Sequence, residues 1–146
     1  MTEQSFDKAA VAAALNRILE LEMAGVVRYT HYSFMVYGYS RIPIVSWLRQ
    51  QASESLLHAQ EAGELITNLD ENPSLNIGPL LSAHKHDVGE ILRESLAHES
   101  TSIAAYRSLL ELVQGHSVLL EEYARTKVAA EEMHVNEINK MLRFPG

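Results

Sequence analysis

Cysteine is absent from the 146 residues. That removes disulfides, thiolate metal sites, iron–sulfur clusters and cysteine nucleophiles together, and it agrees with a reducing compartment. Breakers are scarce: 4 Pro and 7 Gly, most of them between long periodic stretches. No apolar run approaches the ~20 residues of a membrane span, so no membrane association is expected. The opening, MTEQSFDKAA, has no basic segment followed by an apolar one. No secretory signal is therefore expected, and the expected compartment is cytoplasmic. Positive charge is also short, with 12 Lys and Arg against 19 Asp and Glu and a net charge of −7. No basic cluster offsets it, which argues against nucleic acid as a partner, whereas an acidic chain attracts cations. Alternation at period two is missing, so no strand is expected.

What remains is 47% hydrophobic and 21% charged, the balance of a folded globular protein. A chain of this length reads as one domain over 1–146, large enough to bury roughly 70% of its unfolded surface. Four long helical stretches are predicted. The first runs from about Asp7 to Met35, with an alanine-rich start and Leu15, Ile18, Leu19, Glu22, Val26 and Tyr29 on one face. The second opens near Pro43, passes through Trp47, Leu48, Leu56, Leu57, Leu65 and Ile66, and stops at Asp70-Glu71-Asn72-Pro73. A connection over about 70–82 precedes the third, from about Ala83 to Gln114, with Gly115 as terminator. Ser117 reads as the N-cap of the fourth, which ends near Leu142 before Phe144-Pro145-Gly146. Short links join stretches one to two and three to four. The pattern predicts an all-α fold, an antiparallel four-helix bundle of two hairpins joined by a long crossover.

Acidic residues and histidines interrupt the apolar faces. Glu22 lies in LELEMA, Glu99 in LAHE, and Glu131 and His134 in AAEEMH; His58 lies in LLHA with Glu54 four residues before it. The order repeats. His58 follows Glu22 by 36 residues and His134 follows Glu99 by 35, while Tyr29 and Tyr106 each follow the leading glutamate by 7. Seven residues is nearly two turns, so each tyrosine shares its glutamate's face. Buried carboxylates without partners cost several kcal/mol each. Four helices aiming such groups at one axis need cations between them, and two divalent metals supply that compensation. A Glu from each of two helices with Glu-x-x-His from the others is a known di-iron carboxylate arrangement. Carboxylate and imidazole ligands suit iron or manganese, and zinc also fits. Tyr29 and Tyr106 are expected to hydrogen-bond the ligating carboxylates.

The segments LNRILELEMAGVVRYTHYSFM, ASESLLHAQE, LRESLAHESTSIAAY and VAAEEMHVNEINKML resemble the ferritin-like superfamily, bacterioferritin in particular, over about residues 10–142. The resemblance places that family's metal ligands on Glu22, His58, Glu99, Glu131 and His134, with Glu99 and either Glu54 or Glu131 as bridging carboxylates. It also exposes three departures. The second-helix glutamate falls on Ser55, a poor ligand, with Glu54 as the substitute. The haem-ligating methionine falls on Leu56, so haem is not expected. No fifth helix follows the fourth, which puts a 24-subunit cage in doubt and leaves a dimer or another assembly.

The resemblance implies oxidation of Fe(II) by O2 or H2O2 at a centre holding two iron ions, for storage or detoxification. The expected assembly is a homo-oligomer, at least a dimer, or a hetero-oligomer with a related subunit. Two alternatives stay open: a non-catalytic or partner subunit that binds metal without oxidising it, and a small di-iron oxidase or peroxidase. Among the other polar residues, His84, Lys85, His86 and Asp87 read as solvated, with a surface metal site as the weaker alternative. His31, His98 and His116 have no assignment from sequence.

Overall fold

Three of the four helices begin where a short polar side chain caps the free backbone N–H groups. In the computed structural model, which describes residues 5–143, Asp7 accepts from Ala10 N, Asp87 from Glu90 N and Ser117 from Leu120 N. Such caps contribute about 1 kcal/mol each. The helices are α1 (Lys8–Met35), α2 (Arg41–Asn68), α3 (Val88–Val113) and α4 (Val118–Leu142). There is no strand among the described residues. None of the helices is long and apolar enough to cross a membrane.

The boundaries follow the sequence reading with two differences. α2 starts at Arg41 rather than Pro43; Pro43 sits in the first turn, where its missing N–H leaves no bond unmade. α3 starts at Val88 rather than near Ala83, because the Asp87 carboxylate supplies the cap. The crossover thus covers residues 69–87, longer than expected, and His84 and His86 belong to it. Gly115, with φ +79, ends the third stretch as expected. Phe144-Pro145-Gly146, read as the stop after α4, lie outside the described residues.

Paired side chains fix the directions. Tyr29 meets Glu99 while Tyr106 meets Glu22, so α1 and α3 are antiparallel. Glu61 meets Lys127 while Glu54 meets His134, so α2 and α4 are antiparallel too. The crossover climbs along α1. Ser74 N donates to Asn16 Oδ1 (2.7 Å), Gly78 N to Glu20 O (2.9 Å), and Arg28 Nη2 to Pro79 O (2.9 Å). At Gly78 a Cβ would stand 3.0 Å from Glu20 O, so a side chain there would press the crossover away from α1 by a few tenths of an ångström.

Two apolar clusters occupy the two halves of the bundle. One joins Leu15, Ile18, Leu19, Ile66, Leu109, Val113 and Leu120. The other joins Tyr32, Val36, Val45, Leu48 and Ile91. Leu56 and Leu57 of α2 are 42% and 52% exposed. Between the clusters lies a polar layer.

Candidate metal centre

Glu22, His58, Glu99 and Glu131 are each at most 5% exposed. Each comes from a different helix, and each occupies a position where helical periodicity demands burial. His58 Nδ1 lies 3.2 Å from Glu22 Oε2 and 3.5 Å from Glu131 Oε1. His134 Nδ1 lies 3.6 Å from Glu131 Oε2. Two groups of donor atoms result, Glu22–His58–Glu131 and Glu99–Glu131–His134, and within each the donors lie within 4.8 Å of one another. Glu131 is common to both, one oxygen toward each imidazole. Glu131, one of the expected bridges, is the carboxylate common to the two groups, whereas Glu99 belongs to one of them and Glu54 to neither.

The tyrosines reach across the bundle. Tyr29 OH donates to Glu99 Oε1 and Tyr106 OH to Glu22 Oε2, both at 2.6 Å. Each tyrosine therefore serves the glutamate of the other hairpin, although the sequence spacing associates it with its own. Charge-assisted bonds this short are the strong kind. They leave the second oxygen of each glutamate for another partner.

Electrostatics mark the layer as a place of unbalanced charge. Burial raises Glu22 above the ordinary carboxylate range, against hydrogen bonds from His58 and Tyr106. Burial, reinforced by the Glu131 carboxylate, raises Glu99 further. Glu131 goes the other way: burial opposes its charge, but Glu99, His134 and His58 hold it ionised. Burial disfavours charged His58, yet Glu131 and Glu22 push it up to about 10. A cation would relieve this imbalance: Glu22 and Glu99, whose charge burial disfavours, would exchange a proton for metal charge.

A direct test of fit is the second imidazole. His134 Nδ1 is buried without a hydrogen-bond partner, a state that normally costs about 1–3 kcal/mol. That nitrogen lies 3.6 Å from Glu131 Oε2, within reach of a metal shared with Glu99. The opposite nitrogen, Nε2, lies 3.2 Å from Glu54 Oε1. Glu54 thus falls outside both donor groups and orients His134 from behind, the carboxylate–histidine–metal relay seen around bound metals. The donor set of three carboxylates and two imidazoles suits iron or manganese.

Ser55 is 8% exposed and turns toward α1, its Oγ 2.7 Å from where a Cβ on Gly25 would sit. His98 Nε2 reaches the same point from α3, at 3.2 Å. Only glycine at 25 lets the two approach. Burial, with Arg28 adding to it, holds His98 down at about 4, a neutral ring. Sequence reasoning left His98 unassigned because it sits about 100° around the helix from Glu99; nothing local pointed to a convergence with Ser55 across a glycine.

A family model described as a ferritin-like domain matches residues 12–144. No curated protein matches the chain. Among solved structures, a ferritin-like, diiron-carboxylate protein from Bacillus anthracis strain Ames superposes with a TM-score of 0.89 at 23% identity, covering 96% of this chain and 100% of that one. The bacterioferritin-related protein of Bacteroides fragilis, described as a dodecameric thioferritin, gives 0.85 at 21% identity over 94% and 86%. The bacterioferritin of Desulfovibrio desulfuricans, described with a diiron site, gives 0.79 at 21% over 92% and 79%. At these identities the likeness shows a shared fold.

Proposed function

The chain belongs to the ferritin-like domain family, and from that premise we propose that it binds two divalent metal ions in its central layer and oxidises Fe(II) there for storage or detoxification. The observation that carries this is the pair of donor groups that share Glu131. Glu22 and His58 Nδ1 hold one position, Glu99 and His134 Nδ1 the other, and Glu131 spans them. Fe(II) is the substrate: two ions give up one electron each, reducing O2 to H2O2 or H2O2 to water. The protein fixes two cations close together in a buried pocket, and the protons its ligands release on binding them are available to the oxygen species being reduced. Tyr29 and Tyr106 keep Glu99 and Glu22 oriented while those protons leave.

The test is aerobic addition of two Fe(II) per chain, following the ferric absorbance. A rate well above that of buffer supports oxidation; a rate no faster than buffer removes it. Titration with Mn(II) or Zn(II), expected to saturate at two ions in this layer, tests binding apart from chemistry.

Ser55 favours a second reading, a subunit that holds metal without oxidising it. Three carboxylates face four positive charges, and Glu54 stands behind His134 instead of between the ions. Under this reading Ser55→Glu switches oxidation on, whereas under the first it changes only the rate. The assembly is proposed to be oligomeric: Val27, Phe34, Leu57 and Leu80 are 42–57% exposed, and apolar side chains in that number favour burial against another subunit. Size-exclusion with light scattering distinguishes a dimer from a cage.

A further inference from the structure

We infer that His31 and His84 form a separate mononuclear metal site, taking one divalent cation of the imidazole-favouring class, Zn(II), Ni(II) or Cu(II), and pinning the crossover to α1. It does not depend on the central layer or its chemistry.

His31 lies on α1 and His84 on the crossover, 53 residues apart in sequence, yet His84 Nδ1 and His31 Nε2 stand 3.2 Å from each other. The rings are tilted by 40° with centroids 5.1 Å apart, so the nitrogens converge and the rings do not stack face to face. With metal–imidazole bonds of roughly 2.0–2.1 Å, two nitrogens on one ion stand about 2.9 Å apart at right angles and about 3.3 Å apart at the tetrahedral angle. The observed separation falls between these values.

The pair is held in place from both sides. Arg28 donates to Pro79 O through Nε (3.1 Å) and Nη2 (2.9 Å), five residues before His84. Two residues after it, His86 Nδ1 lies 2.9 Å from Met35 O, under the ring of Tyr37. The crossover thus presents His84 to His31 without further ordering, and preorganisation is what a two-ligand site needs to bind at all. Both histidines border a recess of about 230 Å³ between α1 and the crossover, lined also by Val27, Leu80 and Ser82, with room for water ligands. No carboxylate borders it, and the Arg28 guanidinium does. Hard, oxygen-seeking cations gain nothing there, whereas neutral imidazoles suit zinc, nickel and copper. The central layer, rich in carboxylate, has the opposite preference.

The test is equilibrium dialysis of the full chain against Zn(II), with His31→Ala, His84→Ala and, as control, His86→Ala. Wild type is expected to bind one ion more than either His31→Ala or His84→Ala, while His86→Ala matches wild type. In a Glu131→Gln background, which removes the central donor shared by both groups, one Zn(II) remains and disappears on adding His31→Ala. Cu(II) in that background is expected to show an electron paramagnetic resonance signal split by two nitrogens. Equal metal counts in wild type, His31→Ala and His84→Ala overturn the site and leave a plain imidazole–imidazole hydrogen bond. Loss of the same ion in His86→Ala overturns the assignment of ligands.

Discussion

The two helical hairpins carry the same pattern and differ at one position. The second hairpin is intact, with Glu99, Tyr106 and the Glu131-x-x-His134 step; in the first, Glu22, Tyr29 and His58 keep their places, but Ser55 stands where a second glutamate would complete the match. The structure shows what this asymmetry does. Glu131 of the second hairpin alone spans both donor groups. Its would-be counterpart is a hydroxyl turned away toward Gly25. The neighbouring Glu54 backs His134, a residue of the second hairpin. A near-symmetric scaffold thus holds a centre that leans on one carboxylate.

The sharpest way to break this comparison is to remove that carboxylate. Glu131→Gln keeps the shape and takes the charge from both groups at once, so both central ions are expected to be lost in a Zn(II) or Mn(II) titration. If one ion remains with unchanged affinity, the two groups do not share Glu131. The complementary change, Ser55→Glu, restores the missing half of the symmetry. Glutamate there adds an uncompensated buried carboxylate, expected to lower the denaturation midpoint without metal by several kcal/mol equivalent. With metal the same group gains a ligand's role, and affinity is expected to rise at least about tenfold, since even outer partners of ligands are worth 10–100-fold. Calorimetric melting with and without Mn(II) reads both. A variant destabilised equally in the two conditions means residue 55 does not reach the ions. Glu54→Gln is the milder case. At 35% side-chain exposure its hold on His134 is weakened by solvent, and a loss of about tenfold in affinity at the His134 position is expected, while the Glu22–His58 position is unchanged.

Much of this was legible before any coordinates. The four helices, the cap at Ser117 and the polar residues on apolar faces all follow from local chemistry, because periodicity and capping act within a few residues. The start of α3 is not legible in the sequence, because Ala83–Asp87 contains no apolar periodicity to separate loop from helix and the Asp87 cap decides it. The partners of the tyrosines were not legible. Spacing puts Tyr29 on the face of Glu22, but the packing of α1 against α3 offers it Glu99 instead. The same holds for Glu54: one residue's difference in helical phase turns a bridging ligand into a support behind His134. His31 and His84, distant in sequence and both unremarkable locally, meet only because the crossover climbs α1.

The exchange of tyrosines offers the finest test of the two hairpins against each other. Tyr29→Phe and Tyr106→Phe each remove a hydrogen bond to a buried carboxylate, a loss of about 1–3 kcal/mol, readable as a shift in urea midpoint at constant slope. The losses are not expected to be equal. Glu22 keeps His58 Nδ1 at 3.2 Å after Tyr106 is gone. Glu99 has Tyr29 and, beside it, the Glu131 carboxylate; His134, the imidazole of its donor group, pairs with Glu131 instead, so without Tyr29 Glu99 keeps only the Glu131 carboxylate as a hydrogen-bond partner. Tyr29→Phe is therefore expected to cost more, and metal binding, which supplies a partner to both glutamates, is expected to narrow the gap. Equal costs, or a larger one for Tyr106→Phe, mean that the two halves of the centre are supported alike and that the asymmetry is confined to residue 55.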